Sequence, residues 1–256
     1  MTSPVISLAV KKVRDVIKFS PSTLIFFITP LLWLVVFLFI RQHHLKVILD
    51  NGTVRYIDFL VLGVMGWRTV SEIMSSISKS VSSERSALKA LLTAPNGKNI
   101  LFKATLISST VISLIVGLFI VLVGIMIYDF SIYYNNFLLG AIVFLLLMII
   151  HIGIGFLFVG LAAIKEGFYS LRYLLTALFA MMSGVFFPVN LYPEPLNHWA
   201  MILPFTQGMK LLHDLFLFEN APLATNLLII LTIEAIVFFV LGYYMFKKNV
   251  MKYVVK

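Results

Sequence analysis

The sequence predicts an all-α membrane protein with six transmembrane helices, and three observations support this prediction. Apolar residues form 61% of the 256 residues before glycine is counted, whereas an ordinary soluble domain reaches about 45–50% with glycine included. Charged residues form only 12% of the chain, about half of the usual share. The apolar residues fall in long uncharged runs, and roughly 20 such residues cross a bilayer core as a helix. Soluble, disordered and fibrous proteins are therefore excluded.

Uncharged runs place the six spans along a single transmembrane domain that covers residues 1–256. The predicted spans are 20–41, 57–77, 103–128, 137–164, 171–189 and 222–246. Cytoplasmic segments of membrane proteins are enriched in Lys and Arg. With both termini in the cytoplasm, fifteen of the 20 Lys and Arg residues lie inside and four lie outside. The sequence therefore predicts an N-in, C-in topology.

The first 19 residues form a separate amphipathic segment. Apolar residues recur at helical spacing from Val5 to Ile17, with Lys11, Lys12 and Arg14 opposite them. This pattern is typical of a helix that lies on the membrane surface, and we expect a cytoplasmic interfacial helix over 1–19. A plain amphipathic leader is the alternative. The segment lacks the short apolar core of a cleavable signal peptide.

The first outer loop contains a hairpin signal. Asn51-Gly52 lies between two runs of β-prone residues, and this dipeptide favours the tight turn of a two-stranded hairpin. Asn51-Gly52-Thr53 also fits a glycosylation acceptor. Because that triplet is common by chance, the turn is the preferred interpretation.

The loop between spans two and three predicts a short cytoplasmic helix over 82–95. A serine can begin this helix, Glu84 lies near its positive end, and Pro95 ends it. Its apolar stripe consists of Leu88, Leu91 and Leu92. A charged start and an apolar stripe just below the membrane suit a docking element for a cytoplasmic partner. A connector that lies at the membrane interface is the alternative.

The outer segment between spans five and six is too apolar for a free loop and too rich in proline for a full span. Two short helices within 194–218 that dip into the outer leaflet satisfy both facts. Irregular backbone at that depth must be buried in protein or line a wet cavity. A flat interfacial loop is the alternative.

Small residues in spans three and four predict close contacts between helices, because they let two backbones approach each other. In span three they are Ser109, Ser113 and Gly117. In span four they are Gly153, Gly155 and Gly160.

The sequence contains no enzyme motif. It has no Gly-x-x-x-x-Gly-Lys-Ser/Thr phosphate loop, no Gly-x-Ser-x-Gly and no His-Glu-x-x-His. It also has no cysteine, and the adjacent His43 and His44 do not converge on one metal ion. We therefore expect a chain that is not an enzyme and that binds no metal or cofactor itself.

Arg68 and Glu72 are the candidate functional residues within the spans. They lie four residues apart and so share one helix face, which Ser75 extends toward the cytoplasm. A charge in lipid costs at least about 2.5 kcal/mol, so both side chains must face protein or water. One interpretation is a translocation path, and the other is an internal ion pair that fixes helix packing. Glu234 in span six is a candidate partner for Arg68, and equally a lone packing residue.

The chain resembles the permease subunits of the ABC-2 transporter family over its whole length. The loop from Glu84 to Pro95 reads Glu-Arg-Ser-Ala-Leu-Lys-Ala-Leu-Leu-Thr-Ala-Pro and is similar to the family pattern Glu-Arg-x-x-Gly-Thr-x-Glu-x-Leu-x-x-Ser/Thr-Pro. The Gly-Thr pair and the second Glu are missing, and Lys89 inverts a charge. Ser-Gly-Val-Phe-Phe-Pro over 183–188 and Leu-Pro-Phe-Thr over 203–206 resemble the family's Ser-Gly-x-x-Phe-Pro and Leu-Pro-x-Thr.

The resemblance implies a transport mechanism. Two permease subunits, expected as a homodimer, would form a pathway through the lipid bilayer, and two ABC ATPase subunits that bind ATP and Mg would dock beneath it. The short helix would be the coupling helix, with contacts from Glu84, Arg85, Leu88, Lys89, Leu91, Leu92 and Pro95. The outer gate would include Phe187, Pro188 and Pro204.

The expected cargo is amphipathic or lipid-like, because the spans carry few charges and the chain has 23 Phe. The resemblance favours the drug, antibiotic or lipid exporter branch of the family, with lipid-linked saccharides among the candidates. The expected location is the cytoplasmic membrane of a prokaryote, and no nucleic acid partner is expected. An ATPase-independent membrane channel or assembly factor is the alternative function.

Overall fold

The computed structural model describes residues 3–18, 27–29, 32, 45–82, 85–165, 167–220, 222 and 224–252. Within these ranges it leaves out the side chains of 81, 82, 85–88, 167, 169 and 172. The predicted first span, 20–41, lies outside the described residues except at 27–29 and 32. The described chain is mostly helical, in agreement with the all-α prediction.

From β1 onward the described elements follow one another with short connections. Helix α1 (Pro4–Ile17) is followed by strands β1 (Lys46–Leu49) and β2 (Gly52–Arg55) and by helix α2 (Tyr56–Ser82). Helix α3 (Arg85–Thr93) precedes α4 (Gly97–Tyr128), α5 (Phe137–Ala162) and α6 (Gly167–Met182). A 3₁₀ turn (Val189–Leu191) leads to α7 (Leu196–Ile202), α8 (Pro204–Leu217) and α9 (Thr225–Asn249).

The predicted hairpin is confirmed. Strands β1 and β2 pair antiparallel, with Lys46 opposite Arg55 and Leu49 opposite Gly52. Gly52 has a φ of 141°, a conformation that side chains disfavour. At the base of the hairpin, Arg55 donates hydrogen bonds to the carboxylate of Asp58 (2.6 and 2.8 Å) and to the carbonyl oxygen of Asp129 (2.8 Å). The hairpin is therefore joined to the loop that follows α4.

Among the described residues, three helices are long and apolar enough to cross a membrane, namely α4, α5 and α9. Helix α2 has 27 residues, but Asp58, Arg68, Glu72 and Lys79 lower its hydropathy. Residues Tyr173–Met182 of α6 form a shorter apolar helix. The six-span arrangement and its topology remain predictions.

Two helix ends differ from the predicted spans. Helix α4 begins at Gly97 and not at 103, because the left-handed Asn96 (φ 58°) turns the chain directly from α3 into α4. Helix α6 ends at Met182, before the predicted end of span five at 189. Gly184 has a φ of 71°, which does not continue a helix, and Pro188 follows.

Helix α5 occupies the centre of the described structure, where it packs against α2, α6, α8 and α9. Buried side chains form two clusters. The larger one joins the hairpin, α2, α5 and α8. We call the smaller one the basal cluster; its members are Ile73, Ile77, Leu92, Leu101, Phe102, Met148, Ile152, Phe156, Val159, Phe246 and Val250. The basal cluster therefore connects α3 with α2, α4, α5 and α9.

Close packing at small residues is confirmed for both predicted faces. A Cβ at Gly153 would collide with the backbone of Phe238, and a Cβ at Gly242 would collide with the carbonyl oxygen of Gly153. A Cβ at Gly117 would lie 2.8 Å from Thr69 Oγ1. Glycine thus allows α5 and α9 to approach at backbone distance, and it leaves space on α4 for the Thr69 side chain of α2.

Candidate transport pathway and docking surface

Arg68 lies near the middle of α2 and has no close partner. Its Nε is buried without a hydrogen-bond partner. The guanidinium lies 5.9 Å from the ring of Trp67 and is attracted by Glu72, one turn further along. Among the described ion pairs, none joins Arg68 to Glu72. The sequence allowed an internal ion pair between Arg68 and Glu72, and the structure does not place the two side chains within hydrogen-bonding distance.

Glu72 is buried on the same face and is already engaged. It is 6% exposed, and Ser76 Oγ donates a hydrogen bond of 3.0 Å to its Oε1. Ser75 is half-buried and also has a partner. Ser71 is different, because its hydroxyl is buried without a hydrogen-bond partner. Arg68 and Ser71 are thus two unsatisfied polar groups on neighbouring turns of α2.

The direction of Arg68 follows from its two neighbours in sequence. Trp67 Nε1 donates to the carbonyl oxygen of Thr176 on α6 (3.2 Å), whereas Thr69 faces Gly117 on α4. Successive residues of a helix point about 100° apart, since 3.6 residues complete a turn. Arg68 therefore points between the α6 side and the α4 side of α2.

Glu234 is not brought to Arg68. It lies on α9, which packs along α5 and α8, whereas α2 packs against α4, α5, α6 and α8. Its Oε2 is buried without a partner. Of the predicted pathway residues, the structure therefore groups Arg68, Glu72 and Ser75 on one helix face and leaves Glu234 elsewhere.

The predicted docking helix is present as α3, within the predicted range 82–95. Glu84 lies outside the described residues, as do the side chains of Arg85 and Leu88. Leu92 is 4% exposed and belongs to the basal cluster, and Leu91 packs against that cluster. The expectation that these two leucines contact a partner stays a prediction. They attach α3 to the protein's own core.

The exposed side of α3 carries Lys89, Ala90 and Thr93, and the exposed Pro95 follows it. Gly97 fixes the position of this helix, because a Cβ there would collide with the carbonyl oxygen of Leu91. A helix held rigidly against α4 with a cationic outer side can transmit force from a protein bound beneath it. From the sequence alone, an apolar stripe on a helix does not show whether it faces the protein's own core or a partner.

Helix α1 is attached to the same end of the molecule. Ala9 is buried, and Lys12 Nζ donates to Thr105 Oγ1 (2.7 Å), which donates to Ser80 Oγ (3.2 Å). Burial lowers the pKa of Lys12 from 10.5 to about 8. These contacts hold α1 against α4 beside the start of α3.

The hairpin covers α8 at the opposite end of the molecule. Lys210 Nζ donates to Asp50 Oδ2 (2.6 Å), and Asn51 Nδ2 donates to Asp214 Oδ1 (2.8 Å). Burial raises the pKa of Asp214, and the Asn51 hydrogen bond and the Lys210 charge oppose that rise. A cavity of about 170 Å³ lies between the hairpin, α8 and the segment around Asn190.

Of the three predicted outer gate residues, one lines this cavity. Phe187 is 59% exposed, Pro188 borders the cavity, and the buried Pro204 begins α8. The sequence did not identify the four polar residues that join the hairpin to α8. Their only signal was the occurrence of two charged residues, Lys210 and Asp214, within a largely apolar segment.

His151 is fully buried on α5. It donates from Nδ1 to the carbonyl oxygen of Leu147 (2.7 Å), and its Nε2 has no hydrogen-bond partner. Its ring stands edge-on between Phe179 of α6 and Phe205 of α8, at 5.3 and 5.4 Å. The hydrogen bond is therefore within its own helix, and the ring packs between two neighbouring helices.

The three long apolar helices, α4, α5 and α9, indicate a multi-pass membrane protein. A model of the ABC-2 family transporter proteins matches residues 41–244. The chain belongs to this family, whose members are membrane permease components of ABC transporters. No curated protein matches the chain.

Proposed function

We propose that the chain is the permease subunit of an ATP-driven exporter. Two copies would form a pathway for an amphipathic or lipid-like cargo across the cytoplasmic membrane of a prokaryote. Two separate ABC ATPase subunits would bind beneath them and hydrolyse ATP with Mg. The single observation that carries this proposal is α3, a short helix that is exposed on one side and fixed to the helical core on the other.

Energy has to come from a partner, because the sequence contains no phosphate-binding loop. A partner can act on this chain only through a surface that is both exposed and mechanically connected. Helix α3 meets both conditions, since Lys89 and Ala90 are exposed while Leu92 is buried in the basal cluster.

Movement of α3 would pass into the core through contacts described above. Gly97 leaves no free space between the end of α3 and the start of α4. Phe102 of α4 stacks near Phe156 of α5 (4.4 Å) and Phe246 of α9 (5.7 Å). Packed cores move as units because they are as dense as organic crystals. ATP-driven closure of the ATPases would therefore shift α4, α5 and α9 together.

The outer end would open where α8 meets the hairpin. The two contacts there, Lys210 with Asp50 and Asn51 with Asp214, are polar and partly exposed. The exposed ion pair between Lys210 and Asp50 contributes about 0–1 kcal/mol, and the hydrogen bond from Asn51 to the buried carboxylate of Asp214 about 1.5–3 kcal/mol. They can therefore break and re-form during each transport cycle.

The test is a pulldown of the tagged full-length chain from its native cells in a mild detergent, with mass spectrometry of the proteins retained. We expect an ATPase subunit with a phosphate-binding loop at equal stoichiometry, and ATP hydrolysis by the purified complex. Lys89→Glu should remove the ATPase subunit. Lys103→Glu, an exposed cation on α4, is the matched control and should retain it.

A different result would reject this proposal. An oligomer of the chain without any ATPase, seen again after crosslinking, would support the channel or assembly-factor alternative. Retention of the ATPase by the Lys89→Glu variant would show that α3 is not the docking surface.

A further inference from the structure

The unsatisfied polar groups on α2 point to the chemistry of the cargo. We propose that the transported molecule carries an anionic group, a phosphate or a carboxylate, which Arg68 and Ser71 bind midway along α2. This inference rests on the proposed transport function and names its substrate class.

Arg68 supplies the charge for this site. Its guanidinium makes no hydrogen bond and no ion pair with any described residue, and its Nε is buried. Guanidinium groups present a planar set of donors that matches the two oxygens of a carboxylate or phosphate. A buried donor without a partner is unfavourable, so the free site is poised to accept an oxyanion.

Ser71 is the second, independent observation. It lies three residues after Arg68, so both side chains project from the same face of α2. Its hydroxyl is also buried without a hydrogen-bond partner. A hydroxyl next to a guanidinium adds one neutral donor to a charged one, which is a common way to hold an anion.

Glu72 attracts the Arg68 guanidinium from one turn away, but none of the described ion pairs includes Arg68. The predicted spans of the chain contain three acidic residues, Asp58, Glu72 and Glu234. Asp58 is paired with Arg55, Glu72 is 6% exposed and bonded to Ser76, and Glu234 lies on α9, away from α2. No described carboxylate is therefore in ion-pair contact with Arg68, and its donors are open to an anion from another molecule.

The depth of Arg68 argues for a transported anion. It lies 12 residues after Tyr56 and 14 residues before Ser82, the two ends of α2. At 1.5 Å per residue these distances are about 18 and 21 Å, whereas half of a bilayer core is about 15 Å. A phosphate of the surrounding leaflets stays at the membrane surface. An anion can reach Arg68 only by entering between the helices.

The test uses Trp67 as a reporter, because its ring lies beside the Arg68 guanidinium. Trp33→Phe and Trp199→Phe in the full-length chain leave Trp67 as the only tryptophan, since the sequence has three. The chain is placed in phosphatidylcholine nanodiscs and titrated with dodecyl phosphate. Dodecyltrimethylammonium and dodecyl maltoside, which have the same tail, are the cationic and neutral probes.

We expect a saturable change in Trp67 fluorescence with dodecyl phosphate and not with the other two probes. Arg68→Gln should weaken the dodecyl phosphate response at least tenfold, and Arg68→Lys should weaken it less. Lys79→Gln, an exposed cation on the same helix, is the matched control and should leave it unchanged. Elution volume and helical circular dichroism establish that each variant is folded.

Several results would overturn the inference. The first is an equal fluorescence response to all three probes, and the second is an unchanged response in the Arg68→Gln variant. The third is a parent chain that does not respond to dodecyl phosphate, together with an Arg68→Gln variant that has become a monomer. The last result would assign Arg68 to contacts between copies. Repeating the titration in phosphatidylglycerol nanodiscs distinguishes the source of the anion. Competition there indicates a lipid headgroup, and an unchanged response indicates a separate amphiphile.

The proposed function and this inference fail separately. Anion binding that depends on Arg68, without an ATPase in the pulldown, would remove the ATP-driven mechanism and keep the site. An ATPase at equal stoichiometry, without any preference for the anionic probe, would keep the exporter and remove the anionic cargo.

Discussion

At the scale of single residues, Leu92 and Lys89 have different roles although both lie on α3. Leu92 is 4% exposed within the basal cluster, whereas Lys89 is exposed. Truncating a buried leucine to alanine typically costs about 2–5 kcal/mol. A surface lysine away from such packing usually changes stability by less than about 0.5 kcal/mol.

The first prediction separates these roles. Leu92→Ala should lower the melting temperature of the purified chain, and Lys89→Ala should leave it unchanged while weakening ATPase binding. The measurements are thermal unfolding in detergent and a quantitative pulldown. Equal melting temperatures for Leu92→Ala and the parent chain would contradict the placement of Leu92 in the core.

Gly97 is the second residue with a specific prediction. A Cβ there would collide with the carbonyl oxygen of Leu91, so Gly97→Val should displace α3 relative to α4. We expect ATPase binding to persist while cargo-stimulated ATP hydrolysis falls severalfold. Asn96→Gly is the control, because glycine also adopts the left-handed φ of 58° found there. Full stimulation in Gly97→Val would show that the close contact is not needed for coupling.

At the scale of elements, the hairpin and α8 form the outer contact of the described structure. The chain has no cysteine, so two introduced cysteines can be crosslinked without a background. Asn51→Cys with Asp214→Cys places thiols where a hydrogen bond of 2.8 Å now joins the side chains.

A short bis-methanethiosulfonate crosslinker should join these cysteines and stop cargo-stimulated ATP hydrolysis, because the outer path could no longer open. Reductant should restore the activity. Each single-cysteine variant, treated in the same way, controls for modification alone. Continued turnover with the crosslink in place would show that α8 and the hairpin move as one body.

The elements also show how far sequence reasoning reached. Asn51-Gly52 predicted the hairpin because turn chemistry is local, and uncharged runs predicted α4, α5 and α9 because their apolar surface is continuous. The contact between Asp50 and Lys210 joins residues 160 positions apart, and no local pattern encodes such a pair. The burial of Leu92 was also missed, since an apolar stripe faces a partner or the protein's own core with the same spacing.

At the scale of the whole molecule, the topology remains to be tested. The cysteine-free chain allows labelling of single introduced cysteines by an impermeant maleimide in intact cells. Tyr134→Cys, in the loop after α4, should react from outside, as that residue is 72% exposed. Asp15→Cys and Lys252→Cys should react only after permeabilisation. Labelling of Lys252→Cys in intact cells would exclude the N-in, C-in arrangement with six spans.

Because α3 turns directly into α4, a movement of α3 would tilt α4. Helix α4 has 32 residues, which at 1.5 Å per residue makes a rod of about 48 Å. With its base driven by α3, a tilt of about 6° would move the far end of such a rod by about 5 Å, close to one helical turn. That far end meets Arg55 through the carbonyl oxygen of Asp129. A small displacement of α3 beneath the membrane would therefore cause a larger displacement of the hairpin at the opposite surface.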